Sequence, residues 1–507
     1  MSRARKVLVG GLATVLKQVL VLGVGLWLTP FLIGQFGVDG YGLWAVGLQA
    51  IGYLNLLDLG TFSLLPRDVP RARAEAGGDL EHPDVRSVVK ISVVTAIPQT
   101  ALIALATLIG LLVLPDDWER IAPALQVAGI AFVLSFPGRV FIQLLTGLQD
   151  FAFVTGVSTL SWAVQTGVMV GLVLAGHGMV ALGWGWAAGA LTRVVVSAVR
   201  VATRYPALLR LRGVPIAPGR VLEQYQRGGW RTVNKLSFAT SRGMDLLWID
   251  RAIGPEAVAD YNVTVRLSTI ARTTVNIVLP FVLPGLSELR GEGDLGRLTK
   301  VTRALTLGLL VLQGGAGCVV IAVTGGFVGE WVGVARYVGL ALVIFAVVGT
   351  LVISATATLG STLFALGRER ANALGAVAEA LGFVTLAALL VGPFGVLGVA
   401  AAPTLAALGL RWPIVLRVLS EELDEGIGPL FRTLFPWMWR MAIGATGAAL
   451  VATHAPPRSY LEVALVAAAV GVVYLALMGR VLLRGPLAPY AQAGLRRLGL
   501  RRAPPAG

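Results

Sequence analysis

Apolar runs of 18 residues or more recur from one end of this 507-residue chain to the other. A run of that length is what a helix needs to cross the hydrocarbon of a bilayer. In lipid every backbone N–H and C=O must find its partner inside the chain, so runs of this kind fold as helices. Mean hydropathy is +0.78 and charged residues make up only 14% of the chain, against about 25% in soluble domains. The expectation is an all-α integral membrane protein of about 14 transmembrane helices. Their expected spans are 7–34, 41–66, 88–114, 121–148, 155–176, 179–200, 231–252, 257–286, 301–329, 336–366, 371–392, 395–419, 433–453 and 460–484.

Charge in the connecting segments sets the topology. Arg3, Arg5 and Lys6, then Arg67 to Arg86, Arg200 to Arg231, Arg290 to Arg303, Arg368, Arg370, Arg417, Arg432 and the tail from Arg480 to Arg502 all fall on one side. The other side holds little beyond Arg120, Arg336 and Arg458. Cytoplasmic loops carry the excess of Lys and Arg, so both termini are expected in the cytoplasm, in a multi-pass protein of the cytoplasmic membrane. The net charge of +15 then reflects topology, and nucleic acid is not expected as a partner. The apolar run after Lys6 is too long for the ~7–15-residue core of a signal peptide, and is read as a retained first helix. Cys318 can make no internal disulfide, and His82, His177 and His454 are far apart in predicted loops. No metal or other cofactor is expected.

The halves resemble each other. Ile33-Gly34 followed by Tyr41 matches Ile253-Gly254 followed by Tyr261, and Gly147 matches Gly367, both 220 positions on. Leu182-Gly183 matches Leu397-Gly398 at 215. Six helices per unit give both units one orientation, a parallel repeat. The expected organisation is two pseudo-symmetric six-helix bundles, 1–200 and 231–419, joined by a basic cytoplasmic linker, 201–230. Two extra helices follow in 420–484, and a basic tail, 485–507, lies on anionic lipid.

Against this apolar background, residues 231–276 carry Arg231, Lys235, Arg242, Asp245, Asp250, Arg266 and Arg272. A charge at the centre of a membrane helix costs about 2.5–3.5 kcal/mol, so Lys235, Arg242 and Asp245 together cost on the order of 9 kcal/mol. Ten or so apolar residues return ~5 kcal/mol. This helix should therefore face a water-filled cavity. Asn262, Arg266, Thr269, Thr273 and Asn276 share one face at 3–4 spacing, while Lys235, Arg242 and Asp245 lie within about 80° on another. Lys17 sits about 15 Å along the first helix, near mid-membrane, unless its side chain snorkels back to the surface. Arg242 and Asp245, at i,i+3, could instead pair with each other. Arg266 has no acid one turn away and is the foremost candidate for an anion. Arg139, after a Pro137-Gly138 kink, and Arg193 read equally as ligands or interfacial anchors.

The opening Ile33-Gly34-Gln35-Phe36-Gly37, Tyr41-Gly42-Leu43-Trp44 and Leu57-Asp58-Leu59-Gly60 with Arg67, and Gly147-Leu148-Gln149-Asp150-Phe151 at the end of the fourth helix, resemble bacterial polysaccharide flippases. These are the O-antigen-type family of the multidrug/oligosaccharidyl-lipid/polysaccharide exporter superfamily. The resemblance implies movement of polyprenyl-diphosphate-linked oligosaccharides from the inner to the outer leaflet, by alternating access through a central cationic cavity, in cell-surface polysaccharide assembly. It implies an anionic lipid-linked oligosaccharide, membrane lipids and polysaccharide polymerases as partners. Candidate substrate-binding residues are Lys17, Lys235, Arg242, Arg266, Asn262, Asn276 and Arg272. Asp245, Asp250 and Glu379 are the candidates for coupling to a proton or sodium ion. A cation-coupled multidrug antiporter of the same superfamily and a lipid II flippase are the alternatives. An enzyme is not expected: there is no G-x-x-x-x-G-K-[ST] run, and the external loops are short.

Overall fold

The computed structural model describes residues 3–55, 58, 61–216, 218–273, 295–423, 426 and 428–488. Side chains such as those of Lys17 and Arg242, all of Asn276 and the basic tail lie outside the description. Every regular element among the described residues is helical. The chain divides into two compact units, Met1–Ala239 and Thr240–Gly507.

The first unit holds α1 (Arg3–Leu54), α2 (Thr61–Glu75), α3 (Pro83–Leu112), α4 (Ala122–Ser135), α5 (Arg139–Gly147), α6 (Phe151–Leu174), α7 (Val180–Arg204) and most of α8 (Pro218–Gly243). Small residues let its helices approach: a Cβ on Gly183 would collide with the Ala124 backbone, and one on Gly185 or Gly189 with Met169 or Gln165. This is how helices associate where lipid removes the hydrophobic drive. Phe62, Phe132 and Phe136 are buried and pack ring to ring beside α5, Phe132 stacked on Phe136 and Phe62 tilted against it. The expected kink at Pro137-Gly138 is present, with α4 and α5 bent by 51°.

The second unit holds α9 (Asp245–Ala252), α10 (Pro255–Thr264), a helix α11 whose described residues are 266–273, α12 (Leu295–Val332), α13 (Leu340–Ala365), α14 (Glu369–Ala406), a π-helical segment (Ala407–Arg411), α15 (Trp412–Glu422), α16 (Gly428–His454) and α17 (Tyr460–Arg484). The core gathers on α12, where Cys318, Val320 and Ile321 pack with Val347, Trp437, Met441 and Tyr474. The Tyr474 hydroxyl donates to the Val311 carbonyl at 2.8 Å and accepts from Trp437 Nε1 at 3.2 Å. Cys318 is a buried core residue, as its apolar surroundings imply. Beyond the end of α12, the Arg336 guanidinium donates to Glu256 at 2.7 Å and Asp260 at 3.3 Å. The hydrogen bond to Glu256, then that to Asp260, holds Arg336 above its ordinary range.

Eight helical runs among the described residues are long and apolar enough to cross a membrane, nine if the bent α4–α5 pair is one span. This all-helical multi-pass architecture is as expected; the count of fourteen is not reached. Leu20–Leu54 is one run across the break at Gly37, where two helices are expected, and α16 is not among the runs that qualify. Arg370–Glu422 is a single run of 53 residues, although about 20 suffice to span, and it is broken at Gly395. The charged α8 and the short α9 fail on composition and length. The C-terminal part of the eighth expected helix, 274–286, lies outside the described residues.

Backbone breaks recur along the chain at a different register from the one read in sequence. Gly37 (φ 77°, ψ 174°) and Gly254 (φ 124°, ψ 172°) are 217 positions apart, as are Gly178 and Gly395, both also at positive φ. Left-handed and extended positive-φ backbone is open to glycine and costly for residues with a Cβ, so each pair marks the same local requirement. The matches at Ile33-Gly34 and Tyr41 lie three positions away from this offset.

Candidate functional site

In the first unit, polar side chains converge where the ends of α1 and α2 meet α5, α7 and α8. Asp58 accepts from the Phe62 backbone N–H at 3.4 Å and faces Lys235 Nζ at 3.9 Å. Arg139 lies within electrostatic reach of Asp58 and of Arg193. Its guanidinium sits 4.5 Å from the Phe132 ring centre and 5.1 Å from that of Phe136. Arg193 donates from Nη2 and Nε to Ser161 Oγ at 3.3 and 3.4 Å. Among the described residues the cluster therefore carries three cations against one carboxylate. Rings hold an arginine by cation–π attraction and leave its N–H groups for an acceptor. A larger cavity of about 420 Å³ is lined by Asp68, Arg71, Glu75, Asp84 and Arg220. Its arginine Arg71 is spent on Glu75 at 2.9 Å, and that pair is exposed.

In the second unit, a cavity of about 100 Å³ is lined by Asp245, Tyr261, Ser268, Arg272, Glu379 and Thr404, among others. Asp245 opens α9 and accepts from the Tyr261 hydroxyl at 2.8 Å. Arg272 lies within electrostatic reach of both. Ser268 is buried, and its Oγ has no hydrogen-bond partner among the described residues. Glu379 is 2% exposed and accepts from Arg411 Nη1 at 2.7 Å; Arg411 is itself 1% exposed and donates from Nη2 to Asn372 Oδ1 at 3.1 Å.

The structure thus brings Asp245, Arg272 and Glu379 to one cavity, and places Lys235 beside Asp58 in the other unit. Asp250 is half-buried on α9, and Asn262 half-buried on α10. Arg266 Nε is buried without a hydrogen-bond partner among the described residues. Lys17 and Arg242 are placed only as backbone, in α1 and α8, and Asn276 lies outside the description. Two expectations of shared faces are corrected. The helix carrying Lys235 and Arg242 ends at Gly243, and Asp245 begins another, so the three do not ride on one continuous helix. Asp245 takes Tyr261 as its partner. The stripe from Asn262 to Arg266 is likewise interrupted, because α10 ends at Thr264.

Sequence reasoning missed Arg411, Asn372 and the role of Tyr261. The signal for Arg411 was present, a cation inside an apolar run. Arg139 and Arg193, which read from sequence equally as ligands or anchors, fall in the cluster with Asp58.

Residues 4–290, more than half of the chain, match the model of the polysaccharide biosynthesis protein family. No curated protein sequence matches significantly. Among solved structures, the lipid II flippase MurJ in an inward closed conformation gives a TM-score of 0.59 at 10% identity, covering 94% of this chain and 100% of that one. An inward-facing multidrug resistance MATE family transporter of the MOP superfamily gives 0.56 at 13% identity, covering 80% and 95%. At such identities the likeness is one of fold. The matched family model and a fold shared over nearly the full length agree with the apolar helices and buried charge described above: the chain belongs to the polysaccharide biosynthesis protein family, as a multi-pass membrane protein with the fold of MATE transporters and MurJ.

Proposed function

We propose that this chain is a flippase that moves polyprenyl-diphosphate-linked oligosaccharides from the cytoplasmic to the outer leaflet of the cytoplasmic membrane, with both termini cytoplasmic, by alternating access. The observation that carries this reading is the excess of cation in the first unit: Arg139, Arg193 and Lys235 around the single carboxylate of Asp58. A diphosphate is the complement of such a cluster, because arginine forks and an ammonium make short charge-assisted hydrogen bonds to phosphate oxygens. The half-exposure of Lys235 leaves its ammonium within reach of solvent and substrate. The buried Nε of Arg266, without a partner among the described residues, and Arg272 at the second cavity support cationic contacts on the substrate path as well. Lys17, Arg242, Asn262 and Asn276 remain candidate contacts as polar residues placed among apolar stretches of the chain.

The test is reconstitution in proteoliposomes, with flipping of a fluorescent polyprenyl-diphosphate oligosaccharide followed by quenching of the outer leaflet. Lipid II and a cationic drug serve as competitors. Flipping of the oligosaccharide lipid that is lost in Arg139→Ala and Arg193→Ala supports the reading. Preferential flipping of lipid II reassigns the glycan but keeps the cationic site. Uptake of the drug with no flipping of either lipid overturns the reading in favour of an antiporter.

A further inference from the structure

The most fully buried charge among the described residues is not used by the transport reading. Arg411 heads the largest side chains that solvent does not reach, and it lies within the apolar run Arg370–Glu422. Its backbone is unusual: Ala407–Arg411 is π-helical, and the Trp412 N–H donates to Ala407 O, five residues back. The cause is local. Pro413 has no N–H to offer Gly409 and its ring crowds that carbonyl, so the helix widens immediately before it. Such π-segments frequently mark functional positions. Here the extra residue rotates Arg411 toward α14, where Glu379 and Asn372 receive its two terminal nitrogens.

The neighbouring helices are cut to fit the side chain. A Cβ on Gly375 would stand 3.3 Å from Arg411 Cγ, and one on Gly360 would stand 2.9 Å from Asn372 Oδ1 and 3.7 Å from Arg411 Nη2. Next along the chain, Trp412 Nε1 donates to Thr356 Oγ1 at 2.8 Å and fixes the turn against α13. Glu379 also lines the cavity that holds Asp245, Ser268 and Thr404. A carboxylate beside a polar cavity in a membrane protein would ordinarily attract a mobile cation, and here the chain supplies one covalently.

We propose that Arg411 is a tethered counter-cation for the cavity of the second unit. It is a positioning residue that keeps Glu379 permanently neutralised and withdraws it from exchange with any coupling ion. Glu379 is then a structural acid, whereas the cavity's other carboxylate, Asp245, accepts from the Tyr261 hydroxyl with Arg272 within electrostatic reach. The inference holds whatever the substrate is, because its test reads cation binding and not transport.

The experiment is thermal unfolding of the full-length protein in detergent, followed by tryptophan fluorescence. Wild type, Glu379→Gln, Arg411→Met and the double variant are compared in choline, sodium and lithium chloride at equal ionic strength. In choline, Arg411→Met should fall by roughly 5–10 °C, because it strands a buried carboxylate. Sodium or lithium should restore at least half of that loss, since the vacated slot and Glu379 now accept a small cation. The double variant should return to within about 2 °C of wild type and gain no new cation response. Any cation response of wild type should survive Glu379→Gln. If Arg411→Met yields no folded protein while the double variant does, the neutralising role stands. The proposal is overturned if Arg411→Met matches wild type in choline, or if it gains no response to sodium or lithium. A double variant no more stable than Arg411→Met also overturns it, as does a wild-type sodium response abolished by Glu379→Gln.

Discussion

The two units treat buried charge in opposite ways. In the first, Arg139 rests on two phenylalanine rings, Arg193 donates to a serine hydroxyl at 3.3–3.4 Å, and Lys235 stands 3.9 Å from Asp58 with 43% of its side chain exposed. In the second, Arg411 and Glu379 meet at 2.7 Å with almost no exposure, and Asn372 takes a further nitrogen. The first arrangement leaves hydrogen-bonding capacity unspent and a surplus of positive charge. The second pairs its cation with a carboxylate and an amide oxygen through both terminal nitrogens. Long, ring-supported contacts are what a site needs if its cations must be released to a ligand, whereas short contacts from a widened helix turn hold a fixed geometry. The same residue type therefore has two roles, and exposure together with partner chemistry distinguishes them.

Substitutions can break or sharpen this contrast. The largest effect is expected at Glu379→Ala, which strands the Arg411 guanidinium in the interior and should cost about 3–5 kcal/mol. Asp58→Ala, in the open cluster, should cost under about 1 kcal/mol after solvent screening. Chemical or thermal unfolding in detergent measures both, and equal losses would erase the distinction between closed and open clusters. Tyr261→Phe removes a 2.8 Å donor from a half-buried carboxylate and should cost about 1.5–3 kcal/mol. Tyr474→Phe, which loses the bond to the Val311 carbonyl, should cost about 1 kcal/mol. A smaller loss at Tyr261 than at Tyr474 would show that Asp245 is not held as a carboxylate.

Arg139→Ala is expected to lower flipping about tenfold, the equivalent of ~1.4 kcal/mol of ligand contact, while the unfolding temperature moves little. A fall in stability without a fall in transport would make the ring-stacked arginine a core element instead. Smallest of all, Arg71→Ala breaks a fully exposed i,i+4 pair, and no measurable shift in unfolding temperature is expected. A clear shift there would argue that the cavity beside Glu75 and Asp84 carries structure of its own.

The helices were legible because bilayer thickness imposes a length and an apolar composition on any segment that crosses it. The kink at Pro137-Gly138 was legible because proline and glycine act locally on the backbone. The shared face of Lys235, Arg242 and Asp245 was not, because a periodicity argument assumes one continuous helix and this one ends at Gly243. The count of spans suffered similarly: breaks at Gly37 and Gly395 interrupt long runs without changing their composition.

For the site, sequence alone established that cations are placed where lipid would reject them, since transfer cost depends only on residue type and depth. It could not say which of them are already satisfied. Arg411 and Glu379 are 32 positions apart, and Lys235 and Asp58 are 177 apart; no spacing rule joins such pairs. Packing decides their distances, and distance decides whether a buried charge is spent on the fold or kept for a ligand. The apolar pattern of the chain determined that it is a multi-pass helical membrane protein, because solvation is a property of each segment. Only the tertiary structure separated the open cations of one unit from the neutralised pair of the other, because electrostatic pairing is a property of neighbours in space.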